Sequence, residues 1–122
     1  MGKIFALALI LVTTLTCAQK DFSRLSVSKD STYGYTAANP LKMKRGNHQK
    51  SIGYSYDFLS GLKTKDNRKL KFLQRLTIGK AADKGRQLDK YIFLTSEKDT
   101  LTIYVDLHSK DNLRIPVGLQ YR

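Results

Sequence analysis

The chain has 122 residues, 22 lysines and arginines against 10 aspartates and glutamates, a formal net charge of +12, one cysteine and no tryptophan. That length suits a single domain. A lone cysteine excludes an internal disulfide framework, and two histidines beside it are too few for a zinc cluster of ordinary spacing.

The first eighteen residues have the shape of a bacterial signal peptide. Lys3 precedes an unbroken apolar run from Ile4 to Val12, and the small residues Thr16 and Ala18 fit a cut after Ala18. The run is shorter than the roughly 20 apolar residues that span a bilayer. This predicts export, to the periplasm or beyond, with no transmembrane span after cleavage. A competing reading keeps Cys17 as a lipidated N-terminus and makes the protein an anchored lipoprotein. Cleavage leaves roughly 100 residues without cysteine, so packing must supply the stability.

Residues 19–32 mix charge, serine and scattered apolar side chains, which predicts a flexible N-terminal segment. The domain proper is expected from residue 33 to residue 122. Tyr33 to Leu41 reads as a short extended piece followed by an Asn39-Pro40 turn. Lys42 to Lys50, with Gly46-Asn47, is expected to be a surface loop. Ile52, Tyr56 and Leu59 give helical spacing between Ser51 and Leu62, with Ser55 as the cap of a shorter alternative starting at Tyr56. Lys63 to Lys69 reads as a polar turn.

Three runs then show strand patterning. Leu70, Phe72, Leu76 and Ile78 are expected on one face and Lys71, Arg75 and Thr77 on the other. Leu88 to Thr95 is continuously β-branched and aromatic, and Leu101, Ile103, Val105 and Leu107 alternate with polar residues. Ser96 to Asp99 suits a four-residue hairpin loop. A turn over Ser109 to Asn112 and a short edge strand over Val117 to Tyr121 complete the chain. The expectation is an α+β, mostly β domain: a small antiparallel sheet with one short helix packed on it.

The segments YGYTAANPLK (Tyr33 to Lys42), YDFLSGL (Tyr56 to Leu62), LDKYIFLTSEKDTLTIYVDLH (Leu88 to His108) and PVGL (Pro116 to Leu119) follow in that order. Together they resemble a family of small exported proteins of Gram-negative bacteria that has no established activity. The opening motif of that family falls on Tyr33, Gly34, Tyr35, Thr36, Asn39 and Pro40. Members often carry the name of a dehydro-deoxyphosphooctonate aldolase, but that enzyme is an α/β barrel of roughly 200 residues or more, which this chain is too short to form. The chain departs from the family where Met43 to Asn47 replaces a glycine-rich stretch and where Leu119 stands in place of phenylalanine.

Charge is the most informative feature. Lys42 to Arg86 holds 13 basic and 3 acidic residues, whereas Gln87 to Arg122 holds 5 of each. A concentrated positive field attracts anions, so an anionic glycan, lipid head groups or another polyanion is the expected partner. Lys63, Lys65, Arg68, Lys69, Lys71 and Arg75 are the candidate polyanion-binding residues, crowding one turn and the outer face of the next strand, with Lys80, Lys84 and Arg86 just beyond. The plain alternative is a solvated face that keeps a small protein soluble. No nucleic-acid motif is present.

Catalytic patterns are sparse. Ser51 or Ser55 with His48 and Asp57 would supply the groups of a small hydrolase acting on an anionic polymer, but no nucleophile-elbow motif marks either serine. Asp83 and Asp89 lie too near lysines to suggest an acid/base pair. His48 and His108 lack a further metal ligand at suitable spacing, and His108 is expected on the outer face of its strand beside Asp106. No cofactor is expected. The leading expectation is a non-catalytic binding or structural module of the cell envelope.

Overall fold

A computed structural model describes residues 22–80 and 87–121. The leader, Cys17, Asp83, Lys84 and Arg86 lie outside the described residues. The chain is an α+β domain dominated by strands: β1 (Leu41–Lys42), α1 (His48–Ser60), β2 (Leu62–Thr64), β3 (Lys71–Lys80), β4 (Gln87–Leu94), β5 (Thr100–Asp106) and β6 (Leu119–Tyr121). The main sheet has the order β1-β5-β4-β3, and β2 pairs with β6 in a separate two-stranded sheet.

The three runs with strand patterning form the three long strands. β3, β4 and β5 make an antiparallel meander. The β4–β5 connection is closed by Thr95 N donating to Asp99 O at 2.8 Å, with Lys98 left-handed at φ 68°. The sheet is mixed rather than purely antiparallel, because β1 joins β5 in parallel, Leu41 opposite Val105. A parallel neighbour needs a long crossover, and here the chain travels through α1, β2 and the meander before β5 meets β1.

Two expectations about local structure are corrected. The helix begins at His48, within the stretch read as a loop, because Asn47 caps it: its side chain accepts from Lys50 N at 2.9 Å. The buried face of α1 consists of Ser51, Ser55, Phe58 and Leu59, so two of its four core positions are hydroxyls and the apolar periodicity is diluted. From Phe22 onward the N-terminal segment is tied into the domain. Phe22 is buried and meets Tyr54, Phe58 and Tyr121 edge-on at 5.3–5.4 Å, and Val27 bridges Ile115.

A bulge changes the faces of β3. Phe72 opposes Phe93 and Gln74 opposes Ile92, so Leu73 is extra and the register shifts. Directly opposed residues share a face of the sheet. Phe72, Arg75 and Thr77 therefore lie on the face of Phe93, Tyr91 and Asp89, while Lys71, Gln74, Leu76 and Ile78 lie on the other. The first of these is the face under α1, whose Tyr56 ring stands 5.5 Å from Tyr91. A strict count by two had separated Phe72 from Arg75 and joined it to Leu76 and Ile78; one inserted residue reverses the parity.

The core gathers Leu41, Met43, Phe58, Leu59, Leu62, Tyr91, Phe93, Ile103, Val105 and Leu107 with Leu113, Ile115 and Leu119 from the C-terminal segment. No helix among the described residues is long and apolar enough to cross a membrane.

Candidate functional site

The β2–β3 turn is held rigidly. Thr64 N donates to Arg68 O at 2.9 Å and Arg68 N donates to Thr64 Oγ1 at 3.2 Å. Asn67 takes the left-handed conformation at φ 67°, which an asparagine tolerates better than most residues. From β6, Gln120 Nε2 donates to Thr64 O at 2.8 Å and Lys65 O at 3.1 Å, anchoring the turn to the small sheet. Thr64 Oγ1 also donates to the Asp66 carboxylate, and that hydrogen bond holds Asp66 below the usual carboxylate range.

On this frame the candidate cations fall into distinct groups. Lys65, Lys69 and Lys71 are exposed, with no carboxylate partner among the described residues. Arg68 is exposed but already engaged, its Nε 3.1 Å from Asp66 Oδ2. Lys63 is half-buried in β2, opposite Gln120. Arg75 departs from the expected stripe: it lies on the helix-facing side of β3, with Nη2 2.7 Å and Nε 2.9 Å from Asp89 Oδ2. Burial opposes its charge, but the hydrogen bond and charge of Asp89 more than offset that and keep the guanidinium protonated. The structure thus brings together the turn and the start of β3, and places Arg75 apart from them in an ion pair with Asp89.

A second basic region escaped the sequence reading. Arg45 stands between two open concavities of about 470 and 520 Å³. Tyr54 borders both, Lys110 the first and Lys50 the second. The Arg45 guanidinium lies 4.4 Å from the centre of the Tyr54 ring, and its Nη1 donates to Lys44 O at 2.8 Å. Its Nη2 donates to Tyr54 Oη at 3.2 Å, so both terminal nitrogens are engaged within the domain. The helix cap at Asn47 was the one sequence signal that could have placed Lys50 and Tyr54 on a common wall with Arg45.

The hydrolase constellation does not assemble. Ser51 and Ser55 are fully buried, and their hydroxyls donate to Asn47 O and Ser51 O, each at 2.9 Å. His48 and Asp57 are both on α1, nine residues and therefore about 13 Å apart along the axis. Asp89 is engaged by Arg75. His108 is exposed beyond the end of β5, its N–H donating to Asp106 Oδ1 at 2.8 Å, and its ring is roughly parallel to that of His48 at 6.3 Å. Among the described residues no three histidine, cysteine, aspartate or glutamate side chains are grouped to hold a metal ion.

The Tyr33–Pro40 motif works as a joint. Tyr35 Oη donates to Val117 O at 2.6 Å, and Tyr33 Oη accepts from Arg114 N at 3.0 Å. Gly34, at φ 81°, accepts from Tyr104 N at 2.8 Å and donates to Asn39 O at 2.8 Å. Thr36 bridges Asn39, the Asn39 amide reaches Asp30 Oδ2 at 3.0 Å, and Pro40 is buried. The opening motif is therefore bonded directly to the closing Pro116–Leu119 segment, and every contact described here is structural.

No family model, curated protein or solved structure matches the chain.

Proposed function

We propose that this chain is an exported, non-catalytic binding or structural module of the cell envelope, of the small Gram-negative family whose motifs it resembles, and that it contacts anionic surfaces or polymers. The supporting observation is the β2–β3 turn: a rigid frame presenting Lys65, Lys69 and Lys71 without carboxylate partners among the described residues. Cations carried on an ordered backbone lose less backbone freedom on binding than cations on a mobile segment, and neighbouring ones sum their fields over a small area. The one acid in the turn, Asp66, is paired with Arg68 and offers the ligand little repulsion.

Salt-gradient elution from heparin and from a phosphorylated polysaccharide tests this reading. Replacing Lys65, Lys69 and Lys71 together by glutamate shifts elution to much lower salt. Retention that is unchanged by the replacement overturns the proposal.

A further inference from the structure

Phe72 and Leu73 are 45% and 46% exposed on β3, with Leu76 at 38% and, on α1, Tyr56 at 39%. All lie at or beside β3, the outer strand of the main sheet: Phe72 is on the helix face, its ring 5.8 Å from that of Tyr56, Leu73 is the bulged residue, and Leu76 is on the opposite face. Phe72 packs one side of its ring on Tyr91 and Phe93 and leaves the rest exposed beside Leu73, an apolar edge that suits a partner. The Leu73 bulge leaves two residues opposite one position of β4, and a second register shift falls between Ile78 and Lys80. Bulges of this kind blunt an outer strand against pairing with another strand, so the feature suits a ligand that meets side chains rather than backbone.

The charge around the patch selects among such ligands. Lys71 directly precedes Phe72 on the opposite face of β3, Lys69 stands two residues before Lys71, and Lys65 is exposed in the adjoining turn. A second copy of a chain with net charge +12 would set these cations against their equivalents. A soluble polyanion would use the lysines and leave Phe72 and Leu73 in water. An anionic bilayer uses both: ammonium groups meet head-group phosphates while aromatic and aliphatic side chains enter the interface.

We infer that the β2–β3 turn and the bulged border of β3 form a docking surface for anionic lipid bilayers, with Phe72 and Leu73 as the inserted side chains and Lys65, Lys69 and Lys71 as the head-group contacts. This rests on the anionic-surface reading above and names its partner. The protein lies on the bilayer edge-on, the outer strand facing the lipid and β1 pointing away.

Vesicle flotation tests it, using the protein recovered in its native processed form from exporting cells, with phosphatidylcholine alone and with phosphatidylcholine mixed with phosphatidylglycerol. Binding is expected to the mixed vesicles only. Leu73→Asp and the pair Lys69→Glu/Lys71→Glu should each lower the partition coefficient by at least about tenfold. Leu73 lies outside the core cluster, so its replacement leaves the fold intact, as circular dichroism will show. Heparin retention should fall in the lysine variant and persist in Leu73→Asp. Equal vesicle binding by the wild type and Leu73→Asp, with heparin retention kept, overturns the lipid inference and spares the polyanion reading. No affinity for either probe overturns both. A concentration-dependent dimer that Leu73→Asp abolishes would assign the patch to self-association and also overturn the inference.

Discussion

Arg75 and Asp89 are joined across β3 and β4 by two charge-assisted contacts to a single carboxylate oxygen, at 2.7 and 2.9 Å, with the Asp89 side chain only 5% exposed. Thr77 Oγ1 donates to the other oxygen at 3.3 Å. A carboxylate so removed from water depends on its partner. Arg75→Met leaves it uncompensated and should cost about 3 kcal/mol, read as a lowered urea midpoint, while heparin elution of the folded variant stays where it was. A variant of unchanged stability, or one that elutes early, would contradict the assignment of Arg75 to the scaffold.

The Tyr91 hydroxyl presents the opposite situation. Its oxygen is buried without a hydrogen-bond partner, and burial pushes its ionisation far upward, opposed chiefly by the nearby Arg75 charge and least by Ser55, whose own hydroxyl is donated to Ser51 O. Removing an unsatisfied polar atom relieves its desolvation cost. Tyr91→Phe should therefore stabilise the protein by about 1 kcal/mol in chemical denaturation; a loss of stability would show that the hydroxyl has a partner in solution.

Alkali should unfold the domain through its tyrosines. Burial raises Tyr35 to about 12, and burial together with the Asp57 charge raises Tyr121 to about 12. An unfolded tyrosine ionises near pH 10. Below that pH both states keep the proton and these groups contribute no pH dependence. Above it the unfolded chain releases protons that the folded chain retains, so stability falls as pH rises toward 12. Urea midpoints measured from about pH 8 to about pH 12 should be flat and then decline, with tyrosinate absorbance rising alongside; a midpoint constant to the upper limit would contradict it.

Two left-handed glycines separate backbone strain from packing. Gly34 has φ +81°, and a Cβ there would sit 3.1 Å from Leu41 Cδ2 and 3.2 Å from Pro116 Cγ. Gly118 has φ +89° with nothing within 4 Å. Gly118→Ala should cost about 1 kcal/mol, the conformational part alone, and Gly34→Ala about 2–3 kcal/mol because the Leu41 and Pro116 side chains must also move. Equal losses in thermal denaturation would show that the Tyr33–Pro40 joint is loosely packed around Gly34.

Much of the fold was legible because β5 alternates with period two and β4 contains a continuous aromatic and aliphatic run, so both strands and the hairpin between them follow from the sequence. β3 was legible as a strand but not in its faces, since the Leu73 bulge reverses parity and propensity carries no mark of an inserted residue. The helix was found late by three residues because Asn47 lay among basic residues that read as a loop, and because Ser51 and Ser55 occupy buried positions. β1 pairs in parallel with a strand some sixty residues away, a long-range relation that a two-residue strand cannot announce. Of the six candidate cations, Lys65, Arg68, Lys69 and Lys71 are exposed as a run of charge implies; local charge density could not foresee that Asp89, fourteen residues from Arg75, would lie beside it.

The central claim is that anions are met at the β2–β3 turn and the start of β3. Titrating the labelled protein with a short heparin oligosaccharide and following its backbone amide signals tests this most directly. The account predicts perturbations concentrated between Thr64 and Phe72, diminishing as salt is raised. Signals that shift chiefly at Arg45, Lys50 and Lys110, or evenly over the surface, would contradict it.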